Sequence, residues 1–304
     1  MTRRPTSRVP ARPPQADGLD LRSLCKKYGI VFKKALGQNL LLDDNINRIM
    51  VAAASLTPED MVVEVGAGLG ALTRRLCKHA GQLLSIEIDS SFMPCLRDQF
   101  GEMPNVHLFR GDVLNHELAD LVAEHIPGGE SYKMVSNLPY YITTPLLFHF
   151  MESEVFFSRL VVMMQEEVGQ RLVAAPGTSD YGVLTLTSRC YADVDIVHRV
   201  SASCFVPRPK VDSCIVRFRC RKEAPVPGLD RPMFTQVVRA AFEQRRKTLR
   251  NSLTSSARLE LDRDAVLDAL ATSGIDSGRR PETLCFEEFA TLSALIKEAQ
   301  ASQQ

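Results

Sequence analysis

The spacing of apolar and polar positions changes period repeatedly along this chain of 304 residues, and each change marks a predicted element. Ile46, Ile49, Met50 and Ala53 recur at i, i+3, i+4 and i+7, which predicts an amphipathic helix ending near Thr57-Pro58. A short helix is expected before it over 21–28, followed by a basic loop over 33–39. From Met61 onward short apolar runs alternate with helical patterns. Strands are predicted over 61–65, 83–88, 106–110 and 133–136, and helices over 72–79, 92–100 and 117–125, with Pro94 tolerated in a first turn. The next segments are helical over 145–151, strand-like over 159–164 and helical over 166–174. Weaker signals cover 182–192, 196–200 and 213–219, the last two suited to a closing hairpin. This order predicts a doubly wound, Rossmann-like α/β sheet. Beyond a linker at 223–231 with Pro225, Pro227 and Gly228, the pattern turns helical. Phe234, Val237, Val238, Ala241 and Phe242 share one face, and Arg239, Arg246 and Arg250 another, so 231–304 is expected to be a small helical domain.

The predicted strand ends carry the candidate chemistry. Val65-Gly66-Ala67-Gly68-Leu69-Gly70 joins a strand to a helix, where missing side chains let a nucleotide approach the backbone. The same stretch fits the dinucleotide pattern G-x-G-x-x-A through Ala71, so a nicotinamide or flavin enzyme stays open at this point. Glu87, ending the second strand about 20 residues after Gly66, suits ribose hydroxyls in either reading. Asp112, ending the third, suits an adenine amino group. Turn glycines, an Asx turn and a solvated Glu are the bland alternatives.

At the fourth strand end stands Asn137-Leu138-Pro139-Tyr140. The exocyclic amine of adenine is a poor nucleophile because its lone pair is delocalised into the ring. The Asn137 side-chain oxygen and a backbone carbonyl freed by the Leu138-Pro139 step can take its two N–H hydrogens, turning the lone pair toward an electrophilic methyl, while Tyr140 stacks on the base. A dehydrogenase has no need of such a step. Gly66, Glu87, Asp112 and Asn137, at four successive strand ends, point to one crevice and to methyl transfer to an amine.

Composition narrows the partners. The formal charge of +1 hides segregation: residues 1–34 carry nine Lys/Arg against two Asp, 205–222 six against one, and 231–258 seven against one. Three basic runs beside a base-binding site point to a polyanion surface, with solvated faces as the alternative. The Arg/Pro-rich residues 1–30 are expected to be a disordered extension. Three prolines in five residues argue against a presequence helix. No apolar run reaches about 18 residues, so no membrane partner is expected. Eight cysteines without a Cys-x-x-Cys pair or zinc-finger histidines suit free thiols in a reducing compartment, with cytoplasmic localisation and no metal.

Taken together, the motifs resemble the small-subunit ribosomal RNA adenine-N6,N6-dimethyltransferases of the KsgA type. The resemblance runs over about seven-tenths of the chain. It is carried by Leu36-Gly37-Gln38-Asn39, the segment from Val63 to Thr73, Ile86-Glu87-Ile88-Asp89, Gly111-Asp112 and Asn137 to Pro145. It continues through Gln165-Glu166-Glu167-Val168, Phe205 to Ser213 and Ala241 to Leu249. It implies a methyltransferase domain over 31–222 and S-adenosyl-L-methionine as methyl donor, bound by Asn39, Leu41, Gly66, Gly68, Glu87, Asp112 and Asn137. The target it implies is two adjacent adenosines in a hairpin loop near the 3′ end of small-subunit rRNA, in an immature ribosomal particle. Tyr140 and Phe205 are the candidates for stacking on the flipped adenine, Phe205 having packing as its alternative. Arg239, Arg245, Arg246, Lys247 and Arg250 are expected to touch RNA phosphates. Where the family has Phe after Gln-Asn, this chain has Leu40. The rivals are a resistance methylase acting on large-subunit rRNA, a non-catalytic RNA-binding assembly or transcription factor on the same scaffold, and, more distantly, a nicotinamide dehydrogenase.

Overall fold

A computed structural model describes residues 21–33 and 37–303 of the chain. The expectation for most of the N-terminal extension, and for Leu36, therefore lies outside the described residues. The elements follow the predicted order. Strands are β1 (Leu40–Leu41), β2 (Met61–Val65), β3 (Gln82–Glu87), β4 (Val106–Arg110), β5 (Tyr132–Asn137), β6 (Phe157–Gln165), β7 (Ala192–Val200), β8 (Phe205–Val206) and β9 (Ser213–Cys220). Helices are α1 (Leu21–Lys27), α2 (Asp44–Ala54), α3 (Thr73–Leu76), α4 (Met93–Phe100), α5 (Leu118–His125), α6 (Thr143–Met151), α7 (Glu166–Val173), α8 (Val183–Arg189), α9 (Arg231–Phe242), α10 (Leu249–Ser255), α11 (Arg263–Thr272) and α12 (Phe286–Gln303).

Seven strands form one mixed sheet in the order β4-β3-β2-β5-β6-β9-β7. The first five of these are parallel, whereas β9 runs antiparallel to both β6 and β7. The expected hairpin of β7 and β9 is present, with β9 inserted beside β6. Because the chain winds outward from β2 to β4 and then returns to β5, the switch point lies between β2 and β5. Ligands of open α/β sheets bind at the carboxyl ends of strands flanking such a point.

The parallel strands are apolar on both faces, as a doubly covered sheet requires. One face packs Val62, Leu83 and Val161 against helix residues Met50, Leu76 and Leu96. The other packs Val63, Leu84 and Val162 against Leu121, Leu146 and Leu172. Helix starts are set locally by side-chain caps: Asp43 accepts from the Asn45 N–H before α2 and Asp230 from the Met233 N–H before α9. The predicted helix over 72–79 contracts to the single turn of α3.

The C-terminal helices build a third apolar cluster in which Phe234, Val237, Val238, Ala241 and Phe242 are buried together, as their shared face predicted. That cluster also takes in Tyr181, Leu186 and Cys190 from around α8. The arginine face needs correction. The first helix stops at Phe242, a turn spans 243–247, and Arg250 belongs to α10, so Arg239, Arg246 and Arg250 do not share one helix. Thr248, whose side chain accepts from the Asn251 N–H, caps the start of a separate helix there.

Candidate functional site

The carboxyl ends of β2, β3 and β5 open onto a cleft with about 1260 Å³ of space at and inside its mouth. Gly66, Gly68 and Gly70 all adopt positive φ (78°, 56° and 82°), which is why the turn after β2 requires glycine. Their surroundings separate their roles. A Cβ on Gly66 would lie 3.6 Å from the Asn137 carbonyl oxygen and one on Gly68 3.6 Å from Leu40 Cδ2, so both positions face the gap between the turn and its neighbours. A Cβ on Gly70 would stand 2.4 Å from the Phe100 ring, so this glycine lets α4 pack closely and does not face the cleft wall.

Glu87 ends β3 with its carboxylate buried. Oε2 accepts from the Gly68 N–H at 2.7 Å and Oε1 from the Asp89 N–H at 2.8 Å. Burial raises its pKa, and these two backbone donors partly counter the rise. Each oxygen retains a lone pair for a further donor. Asp112 caps the following turn through Oδ1, which accepts from the Leu114 N–H at 3.1 Å. Both line the cleft together with Asn39, Leu41, Gly66, Gly68 and Asn137, so every residue expected to hold the donor reaches one cavity.

The Asn137-Leu138-Pro139-Tyr140 step continues the cleft lining beside the glycine turn. Its backbone is pinned where the Leu138 N–H donates to the Met163 carbonyl of β6 at 3.3 Å. The Asn137 carboxamide and the Leu138 carbonyl engage no donor among the described residues, leaving two acceptors beside the glycine turn. The Tyr140 hydroxyl shares a 2.6 Å hydrogen bond with Ser213 Oγ, which fixes the ring at the cleft. Burial pushes the Tyr140 phenol up, and Ser213 acts in the other direction.

Phe205 also lines the cleft, but it is only 2% exposed and belongs to the core. It sits in β8, which pairs antiparallel with β1 so that Leu41 faces Phe205 and Leu40 faces Val206. The stretch expected to be only a basic loop thus continues into a strand that knits Asn39 and Leu41 to the Phe205 segment. Leu40, where a Phe was expected, closes over Gly68.

Three contributors stood within the quoted motifs but had no role assigned from sequence. Ser213 holds Tyr140 from β9; its position 73 residues away gave no local signal. Tyr141, 56% exposed, lies against Gly37, whose Cβ would be 3.3 Å from its ring. Ile88 stands exposed beside Glu87 at the cleft, where an apolar side chain after a strand-end acid was the available signal.

The family model for "Ribosomal RNA adenine dimethylase" matches residues 30–297. The chain belongs to the ribosomal RNA adenine dimethylase family. Among similar proteins, "Ribosomal RNA small subunit methyltransferase A" of Moorella thermoacetica is 43% identical over 279 residues, covering 90% of this chain and 96% of that protein. The Bacillus mycoides protein of the same name is 43% identical over 277 residues, covering 90% and 95%. A Plasmodium falciparum dimethyladenosine transferase superposes with a TM-score of 0.74 at 25% identity, covering 86% of this chain and 98% of that one. The 23S rRNA methyltransferase ErmE superposes at 0.63 and 28% identity, covering 85% and 99%.

The dimethylase is an S-adenosylmethionine-dependent enzyme by family, and its own cleft fits that donor. The side-chain-free cradle at Gly66 and Gly68 admits a nucleotide backbone, and Glu87 and Asp112 supply carboxylate acceptors. No described helix is long and apolar enough to cross a membrane.

The basic runs divide on inspection. In 205–222, Arg217 and Arg219 share Asp195 and Arg221 pairs with Asp193, so two carboxylates offset two of these three charges, while Arg208 and Lys210 are exposed. In 231–258, Arg258 pairs with Glu243. Arg245 donates to the Ser179 and Tyr181 carbonyls at 2.5 and 3.2 Å, tying the turn after α9 to the segment before α8. Arg239, Arg246, Lys247 and Arg250 are exposed and form no ion pair with any described residue.

Proposed function

We propose that this dimethylase transfers methyl groups from S-adenosyl-L-methionine to N6 of two adjacent adenosines in a hairpin loop near the 3′ end of small-subunit (16S) rRNA. The product is N6,N6-dimethyladenosine, made on an immature particle in the cytoplasm as part of small-subunit biogenesis. The observation that supports the reading most is the pair of free acceptors, the Asn137 carboxamide and the Leu138 carbonyl, on residues that line one cleft with the glycine cradle. The names of the curated relatives at 43% identity support the choice of subunit.

Asn39, Leu41, Gly66, Gly68, Glu87 and Asp112 bind the donor in this reading, which supplies an electrophilic methyl on a sulfonium. Asn137 and the Leu138 carbonyl accept the two N6 hydrogens and hold the nitrogen lone pair in line with that methyl. Pro139 keeps the carbonyl of Leu138 free by fixing the turn, and Tyr140, braced by Ser213, stacks on the extruded base. Nitrogen becomes strongly acidic once alkylated, so its proton passes to water or a nearby carbonyl without a dedicated base. Each transfer breaks the methyl–sulfur bond and leaves the donor as a thioether; in the second, the monomethylated nitrogen has one hydrogen left for one of the two acceptors, and the first methyl takes the place of the other hydrogen. Phe205 supports this wall through packing. Arg239, Arg246, Lys247 and Arg250 contact phosphates, while Arg245 contributes by holding their turn in place.

Incubation with labelled S-adenosylmethionine and immature small or large subunits, followed by nucleoside mass spectrometry, tests donor, product and RNA together. Dimethyladenosine at adjacent positions in the small subunit alone is expected. Label in large-subunit RNA would favour the chemistry of the ErmE-like rival instead.

A further inference from the structure

We propose that Asp89 is a positioning residue for donor binding, clasping Lys33 and Gln38 across the cleft rim while its backbone holds Glu87. The inference rests on the cleft being the donor site. Asp89 does not itself line the cleft, so it acts through others.

The clasp is a closed set of hydrogen bonds. The Asp89 side chain is 0% exposed, and Oδ1 accepts from Lys33 Nζ at 2.7 Å and from the Ser91 N–H at 2.9 Å. Oδ2 accepts from Gln38 Nε2 at 2.7 Å, and Gln38 Oε1 accepts from the Lys33 N–H at 2.8 Å. The Asp89 N–H in turn donates to Glu87 Oε1 at 2.8 Å. One buried residue thereby fixes two walls: the Glu87 carboxylate and the segment Gly37-Gln38-Asn39.

That segment reaches the target-base wall at its other edge. A Cβ on Gly37 would lie 3.3 Å from the Tyr141 ring and 3.7 Å from Pro139 Cβ, so residues 37–39 bridge the two sides of the mouth. Burial opposes the Asp89 charge, yet Lys33, the Ser91 N–H and Gln38 hold its carboxyl down to about 2, so the clasp is charged at working pH. Fixing the bridge before the donor arrives removes part of the ordering cost of binding.

Lys33 is half exposed, so Lys33→Met removes the ion pair without disturbing the core. With full-length protein and S-adenosylmethionine, calorimetry is expected to show roughly three- to tenfold weaker donor binding in Lys33→Met and a larger loss in Asp89→Asn, with Lys33→Arg close to wild type. The donor KM should rise in step while the KM for the ribosomal particle stays as in wild type; the melting temperature of Lys33→Met without donor should fall modestly, because the buried Asp89 carboxylate loses a partner, and Lys33→Arg should restore both donor binding and melting temperature. Unchanged donor binding in Lys33→Met, or a loss that falls on the particle KM, would overturn the clasp. Failure of the wild-type protein to bind S-adenosylmethionine would overturn the site reading itself.

Discussion

Replacing Asn137 by Ala separates catalysis from folding, because the carboxamide makes no hydrogen bond within the described protein. The Asn137-Leu138 backbone is held by the Met163 carbonyl and by the β5–β6 ladder, neither of which involves the lost side chain. A half-buried polar side chain without partners contributes little to stability, so the melting temperature should move by no more than about 2 °C. Catalysis loses one acceptor placed for a hydrogen whose acidity grows in the transition state. By analogy with the removal of one hydrogen-bonding group from an oxyanion hole, the expected loss is roughly 10²- to 10³-fold in rate, or about 2.7–4 kcal/mol. The assay is single-turnover methylation of immature small subunits at saturating donor, read by nucleoside mass spectrometry, beside a thermal melt. Asn137→Asp, which keeps an acceptor oxygen, should retain more activity than Ala. A rate for Asn137→Ala within about fivefold of wild type would refute the acceptor argument. A melting temperature lowered by about 5 °C or more would show that the residue serves the fold instead.

Other expectations follow from the same geometry. Tyr140→Phe removes only the Ser213 hydrogen bond and should slow methylation a few-fold, whereas Tyr140→Ala also removes stacking worth about 1–3 kcal/mol; equal kinetics for the two variants would argue against base stacking. Arg246→Glu with Lys247→Glu should weaken particle binding and flatten its dependence on salt, while Arg245→Ala should lower the melting temperature by releasing the Ser179 and Tyr181 carbonyls. Salt-titrated binding and melting curves distinguish these outcomes. Glu64 is fully buried, its carboxylate accepting from Thr73 and Ser85 hydroxyls at 2.6 and 2.7 Å, and burial outweighs those bonds to raise its pKa to about 7. The folded state therefore binds the proton more tightly, and this contribution to stability is present in full below about pH 4.5 and is lost as pH rises through 7. It amounts to on the order of 3 kcal/mol. Glu64→Gln should flatten that part of a denaturation profile between about pH 4.5 and 7, and an unchanged slope would count against the assignment.

The element order from Met61 to Gln165 was legible because each buried strand must be apolar and each covering helix must show its stripe. The boundaries of β2, β4 and β5 fall within a residue or two of the runs that predicted them. The cleft was legible for a related reason: Gly66, Glu87, Asp112 and Asn137 each allowed a bland reading alone, but their succession at four strand ends pointed to one crevice, and all four line one cleft. Pairing was less readable. The two-residue strands β1 and β8 are too short for a periodic signal, yet their register brings Leu41 against Phe205 across more than half the chain. Likewise Thr248 caps a separate helix where the arginine spacing had implied a continuous one.

The sequence by itself determined the fold class and the family, because motifs at strand ends carry their geometry in adjacent residues; the methyl donor followed from the family and not from the glycine turn, which a dinucleotide would also suit. Tertiary structure alone decided which charges are free to meet RNA, since Asp193 and Asp195 reach Arg217, Arg219 and Arg221 only through strand pairing. It also decided that Phe205 packs, that Ser213 braces Tyr140 and that Asp89 clasps Lys33 and Gln38. Those roles depend on contacts between residues far apart in the chain, which carry no spacing that a linear pattern can register.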